Sequence, residues 1–125
     1  MTDPTETLPP PWPARALAAL GAVLAAAAVA LAAYAAHGVE PQAASRLQLA
    51  AVFAFGHGVA LAALARAAAR RLTLLALLGI AAGACLFAGS LLAAHFFDAP
   101  TRLAPFGGSL MILAWLAYAV DAMRR

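Results

Sequence analysis

Apolar positions run almost unbroken through four stretches, 14–36, 47–65, 72–94 and 103–120, and the polar positions are few and gathered between them. Each stretch is close to the ~20 residues that an α-helix needs to cross a hydrocarbon core about 30 Å thick. The pattern predicts an all-α integral membrane protein: a four-helix transmembrane bundle with short loops, occupying 14–125. Residues 1–13 carry five prolines, with Pro9, Pro10 and Pro11 consecutive. Proline fixes φ and lacks an N–H, so this segment is expected to be a loosely ordered, polyproline-like tail outside the bilayer. A proline-rich ligand for a partner domain is the alternative. Trp12 beside Arg15 reads as an interfacial anchor.

The punctuation between stretches is specific. His37-Gly38 is expected to close the first helix with a left-handed glycine cap, and Pro41 to prevent its resumption, leaving a connection at 38–46. The second helix is expected to run to about Arg66, and the following Ala-Ala-Ala-Arg70-Arg71 holds no breaker, so it should stay partly helical. The third helix should end near His95 and Asp98. The fourth should begin near Leu103, with Pro105 tolerated in its first turn.

Composition narrows the class. Hydrophobic residues make up 66% of the 125 residues and charged residues 10%, with a mean hydropathy of +0.90. Soluble domains carry about 25% charged residues, so lipid is the expected surroundings. The net charge of +3 comes from arginines that flank the stretches. They form no basic face with stacking aromatics, which argues against nucleic acid and for anionic lipid headgroups. With four spans, Arg15, Arg66, Arg70, Arg71, Arg124 and Arg125 share one side, and Arg46 and Arg102 the other. The positive-inside rule then places both termini in the cytoplasm. The first stretch is longer than a signal h-region and is preceded by Asp3 and Glu6, so it reads as a retained helix.

Inside lipid, helices associate through close backbone approach. Gly79-Ile-Ala-Ala-Gly83 is a GxxxG and Gly89 follows it; Gly56, Gly107 and Gly108 are further candidate packing positions. Gly21 and Ala25 in the first helix have the same four-residue step but sit in a field of alanine, and Gly58 lies beside Gly56. The GxxxG is expected to serve the internal bundle rather than a dimer. The single cysteine, Cys85, permits no intrachain disulfide and reads as a small buried hydrophobe, with a redox or lipidated role as the alternative.

Ionisable groups within a membrane are costly and mark candidate sites. His57 is the deepest. Its ring is expected to hydrogen-bond a carbonyl or a hydroxyl, with Ser90 and Ser109 as candidate partners, and a proton-relay or ligand role as the alternative. His37 and His95 fall at the outer helix ends near Glu40 and Asp98. Two histidines and two acids are a possible zinc or copper set, but no HxxxH or CxxC spacing supports a metal, and satisfied helix ends are the simpler account. Asp98–Arg102, Glu40–Arg46 and Asp121–Arg124 are expected surface pairs of little energetic weight. No nucleophile–base set is present, so no enzymatic activity is expected, and no cofactor is implied.

Three landmarks remain: Ala36-His37-Gly38, then His57 followed by Val-Ala-Leu, then Leu86-Phe87-Ala88-Gly89-Ser90-Leu91 with Pro105-Phe106-Gly107-Gly108. In order and spacing they resemble a family of small four-helix bacterial inner-membrane proteins, domain of unknown function 423, whose eukaryotic relative is the small transmembrane protein 256. The resemblance covers about 16–122. Ala88, Leu92 and Ala114 stand where the family has serine, tyrosine and glycine, and the second helix lacks its polar Tyr-Gln pair. Glycines and histidines are kept while hydrogen-bonding side chains are lost, which favours a shared packing role. The family implies no activity, substrate or cofactor. The expected function is therefore a structural or accessory subunit of a membrane complex, with a partner protein or a homo-oligomer. Small-solute or proton transport past His57 is the second reading, and a haem- or quinone-associated redox subunit the third.

Overall fold

The computed structural model describes residues 8–124; Asp3, Glu6 and the rest of 1–7, together with Arg125, lie outside the described residues. Four α-helices account for most of it: α1 (Trp12–His37), α2 (Pro41–Leu64), α3 (Arg71–Phe96) and α4 (Ala104–Met123). A 3-10 turn, Ala65–Ala67, extends α2. All four are long and apolar enough to cross a membrane. There is no strand among the described residues.

The helix boundaries correct several expectations, and prolines explain most of the shifts. The tail ends at Pro11, whose φ of −59° and ψ of 153° are polyproline-like, and Trp12-Pro13 already belong to the first turn of α1. Pro41 does not merely block α1; it opens α2, where its missing N–H is no loss. The first connection thus shrinks from 38–46 to 38–40. Gly38 has φ −151°, so it is not a left-handed cap. The described residue with positive φ is Asp98, at 55°, and aspartate is among the few side chains that tolerate that conformation. There the N–H groups of Phe97 and Ala99 turn back on the Ala93 carbonyl at 2.9 and 3.2 Å, stopping α3. The arginine-rich connection stays helical only as far as Ala67, after which Ala68 is extended.

The helices pair as two hairpins, α1 with α2 and α3 with α4, and the hairpins meet chiefly along α2 and α3. Each hairpin closes on one pair of glycines. A Cβ on Gly21 would lie 2.5 Å from the Gly58 carbonyl oxygen, and one on Gly58 would lie 2.6 Å from that of Gly21. In the second hairpin, a Cβ on Gly83 or on Gly107 would each meet the other's carbonyl oxygen at 2.8 Å. No side chain fits in either place, so the backbones touch, as packing without a hydrophobic driving force requires. Gly79 lies against Ala114, so both glycines of the GxxxG face α4 within the bundle. Gly56 and Gly89, expected to pack, stand against open space, and Gly108 reaches only Phe87 at 4.0 Å.

Two apolar clusters fill the interior. The one toward the arginine-rich end is built on Leu17, Leu61, Leu77 and Ile80, and the one toward the other end on alanines 28, 50, 54 and 88 with Leu91. Outward, Val23, Val29, Val52, Leu75, Ile112 and Leu113 are each more than 60% exposed. An apolar outer surface on every helix suits hydrocarbon and is far larger than the patches that water tolerates. Cys85 is exposed on this surface and is not the buried residue that was expected.

Candidate functional site

His57 sits in α2, half-buried, at the rim of a groove of about 540 Å³ that runs between α2 and α4. Phe53 and His57 of α2 form one wall, Met111, Ile112, Trp115 and Leu116 of α4 the other, and Phe87 of α3 lies between them beside Gly108. The His57 Nδ1 lies 2.7 Å from the Phe53 carbonyl oxygen, one turn earlier in its own helix. A carbonyl only accepts, so Nδ1 carries the proton, and in the neutral ring Nε2 is an acceptor. The imidazole stacks on Phe53, with centroids 5.7 Å apart and planes 10° apart, and faces Trp115 at 6.1 Å. Phe53 in turn packs on Phe87 at 4.7 Å. Aromatic contacts and one intrahelical hydrogen bond thus fix the ring with Nε2 as its remaining polar atom.

The serines do not join it. The Ser109 hydroxyl donates to the Pro105 carbonyl at 2.8 Å, and Ser45 does the same to Pro41 at 3.2 Å. Both are proline–serine pairs in a first helical turn, where the hydroxyl finds an acceptor one turn back. The Ser90 hydroxyl is buried without a hydrogen-bond partner, and Ser90 does not line the His57 groove. The hydroxyl partnership expected for His57 is replaced by its own backbone.

The outer histidines also separate. His37 is exposed at the last residue of α1. His95 Nε2 lies 3.2 Å from the Tyr34 hydroxyl, and Tyr34, His95 and Phe96 form an aromatic trio that ties the end of α1 to the end of α3. No group of three or more His, Cys, Asp or Glu side chains is poised for a metal among the described residues.

The polar feature that sequence reasoning missed is Asp121. It is fully buried near the end of α4, where a surface pair with Arg124 was expected. Its carboxylate accepts a short hydrogen bond from the buried Thr73 hydroxyl and lies 3.4 Å from Arg70 Nε, whose side chain is 45% exposed. Thr73 and Arg70 flank the start of α3, so this carboxylate closes the arginine-rich end of the second hairpin. A signal was present: Ala104, Gly107, Met111, Ala114 and Asp121 share one buried face at steps of three, four and seven.

With the geometry in place, comparison with known proteins adds one result. A family model described as "Protein of unknown function (DUF423)" matches residues 31–108. The match takes in the end of α1, all of α2 and α3 and the first turn of α4, which is more than half of the chain but narrower than 16–122. His37, His57, Ser90 and His95 fall within it, and Arg15 and Asp121 outside. No curated protein and no solved structure matches the chain.

Proposed function

The chain belongs to the DUF423 family, proteins of unknown function, and from that premise we propose that it is a multi-pass membrane subunit whose groove between α2 and α4 receives a helix of a partner protein. The observation that carries this is the groove itself: aromatic and apolar side chains of α2, α3 and α4 wall it, and the His57 ring stands at its rim, held to its own helix through the Phe53 carbonyl. A helix of a partner fills such a groove with apolar side chains and, where its residues are small, with close backbone contact, which is how helices associate in lipid. The aromatic walls supply the contact area, and Gly108 leaves room for a close approach. In this reading the protein sits in a bacterial inner membrane with both termini cytoplasmic, holds no cofactor and catalyses no reaction.

Transport past His57 has less support. The groove is lined by apolar side chains, and neither Ser90 nor Ser109 contributes a hydroxyl to it. A redox role would need ligands that converge, and His37, His57 and His95 belong to three different surroundings.

Two substitutions test the partner reading. Gly108→Leu fills the groove from a position where an added side chain meets only Phe87 at 4.0 Å, and His57→Leu replaces the imidazole at its rim. In native-membrane nanodiscs the wild-type chain should migrate as part of a larger assembly on blue-native electrophoresis. Both variants should run at the monomer mass, with unchanged helicity by circular dichroism. A wild-type chain that runs alone, or an assembly that survives both substitutions, overturns the proposal.

A further inference from the structure

A second groove, of about 660 Å³, opens at the arginine-rich end between α1 and α2. Arg15, in the first turn of α1, and Arg66, in the 3-10 turn, both line it, and both are exposed. Its remaining length is floored by Ala18, Ala19 and Ala22 of α1 and Ala62 of α2. From Arg15 to Ala22 the helix advances about 10 Å, so the groove starts at a cationic end and continues into the apolar span. Pro9 and Pro10 border it, and Trp12 stands 76% exposed beside it, where an indole marks the headgroup level.

The two arginines differ from Arg70 at the same end. Arg70 is neutralised by the buried Asp121, whereas neither Arg15 nor Arg66 has an acidic partner among the described residues. Two exposed guanidinium groups above an alanine-walled channel match an amphiphile with an anionic head and an apolar tail. We propose that this groove binds one anionic phospholipid, its phosphate held by Arg15 and Arg66 and one acyl chain laid along the alanines. Guanidinium–phosphate pairs are short and charge-assisted, and alanine leaves the tail the space that a larger side chain would take. The Gly21–Gly58 contact, which brings α1 against α2, fixes the spacing of the two walls.

Native mass spectrometry of the full chain in detergent, titrated with phosphatidylglycerol or with phosphatidylcholine, tests this. The wild type should retain one phosphatidylglycerol in preference to phosphatidylcholine. The double variant Arg15→Gln/Arg66→Gln should weaken phosphatidylglycerol by about thirty-fold, from about a tenfold change per 1.4 kcal/mol and the typical contribution of an arginine at an anionic surface. Arg71→Gln/Arg124→Gln, which removes the same charge at the same end, should change it less than three-fold. Ala22→Phe keeps both arginines and blocks the channel, and it should also lose the lipid. Thermal unfolding of each variant should match the wild type, because all these side chains are exposed. Equal losses in the two arginine pairs, equal retention of phosphatidylcholine, full binding by Ala22→Phe, or displacement of the lipid by millimolar inorganic phosphate would each overturn the proposal.

Discussion

At the residue scale, several polar side chains in this chain are satisfied within their own helix. Ser45, Ser109 and His57 each turn back to a carbonyl four residues earlier, which costs no partner helix and commits no neighbour. Others cross between helices: Tyr34 meets His95, Gln48 donates to the Ala32 carbonyl, and the buried Asp121 reaches Thr73 and Arg70 and so joins α4 to α3. Removing it should therefore be felt. Asp121→Ala deletes the acceptor of the Thr73 hydroxyl and the ion pair with Arg70, and a hydrogen bond to a charged group is worth about 1.5–3 kcal/mol. We expect a loss of that order in detergent-micelle unfolding. Asp121→Asn keeps an acceptor for Thr73 and should lose less. If Asp121→Ala unfolds like the wild type, the carboxylate is not what closes that end. Its depth was legible in the spacing from Gly107 to Asp121, but the neighbouring arginines made an exposed ion pair the simpler reading. His57 was legible as the deep ionisable group; its choice of Phe53 over a serine was not, because that choice depends on a rotamer rather than on sequence position.

At the element scale, the helices follow from long apolar runs, and the glycine pairs decide how those helices meet. Gly21, Gly58, Gly83 and Gly107 have no room for a methyl group. Alanine at any of them should force the backbones apart and destabilise the fold by about 1–3 kcal/mol, the usual range for overpacking. Gly56 and Gly89 meet nothing within 4 Å, so alanine there should be neutral or stabilising by up to about 1 kcal/mol, from helix propensity alone. Unfolding of the six alanine variants by sodium dodecyl sulfate in mixed micelles separates the two sets. A loss at Gly56 equal to that at Gly58 would contradict the interface assigned here. The sequence marked Gly79 and Gly83 but undervalued Gly21, because small residues recur by chance in an alanine-rich helix. It overvalued Gly56 and Gly89, because composition does not say which side of a helix faces its neighbour. The ends of the helices shifted for a related reason. Pro13 and Pro41 read as breakers, yet both sit in first turns where proline starts a helix.

At the scale of the whole molecule, the four helices alternate in direction, so the start of α1, the end of α2, the start of α3 and the end of α4 share one end of the bundle. Arg15, Arg66, Arg70, Arg71 and Arg124 belong to that end, and Arg46 and Arg102 to the other. Fluorescent-protein and alkaline-phosphatase fusions at the two termini should therefore both report the cytoplasm, with the fluorescent fusions bright and the phosphatase fusions inactive. Fusions at 39 and 99 should give the reverse. Termini that report opposite sides would refute an even number of crossings. The bundle was legible from hydropathy and arginine placement alone, while the two grooves were not, because each arises where helices distant in sequence leave a gap.

The short non-helical link after Ala67 lies between two hairpins, each closed by its own pair of touching glycines. Each half of the chain thus carries the contact that closes it before the other half exists. During synthesis the first hairpin can enter the bilayer and zip shut while the second is still in the ribosome. The finished protein is then two prefabricated leaves joined along one spine, and a cut in that link severs a tether rather than either clasp.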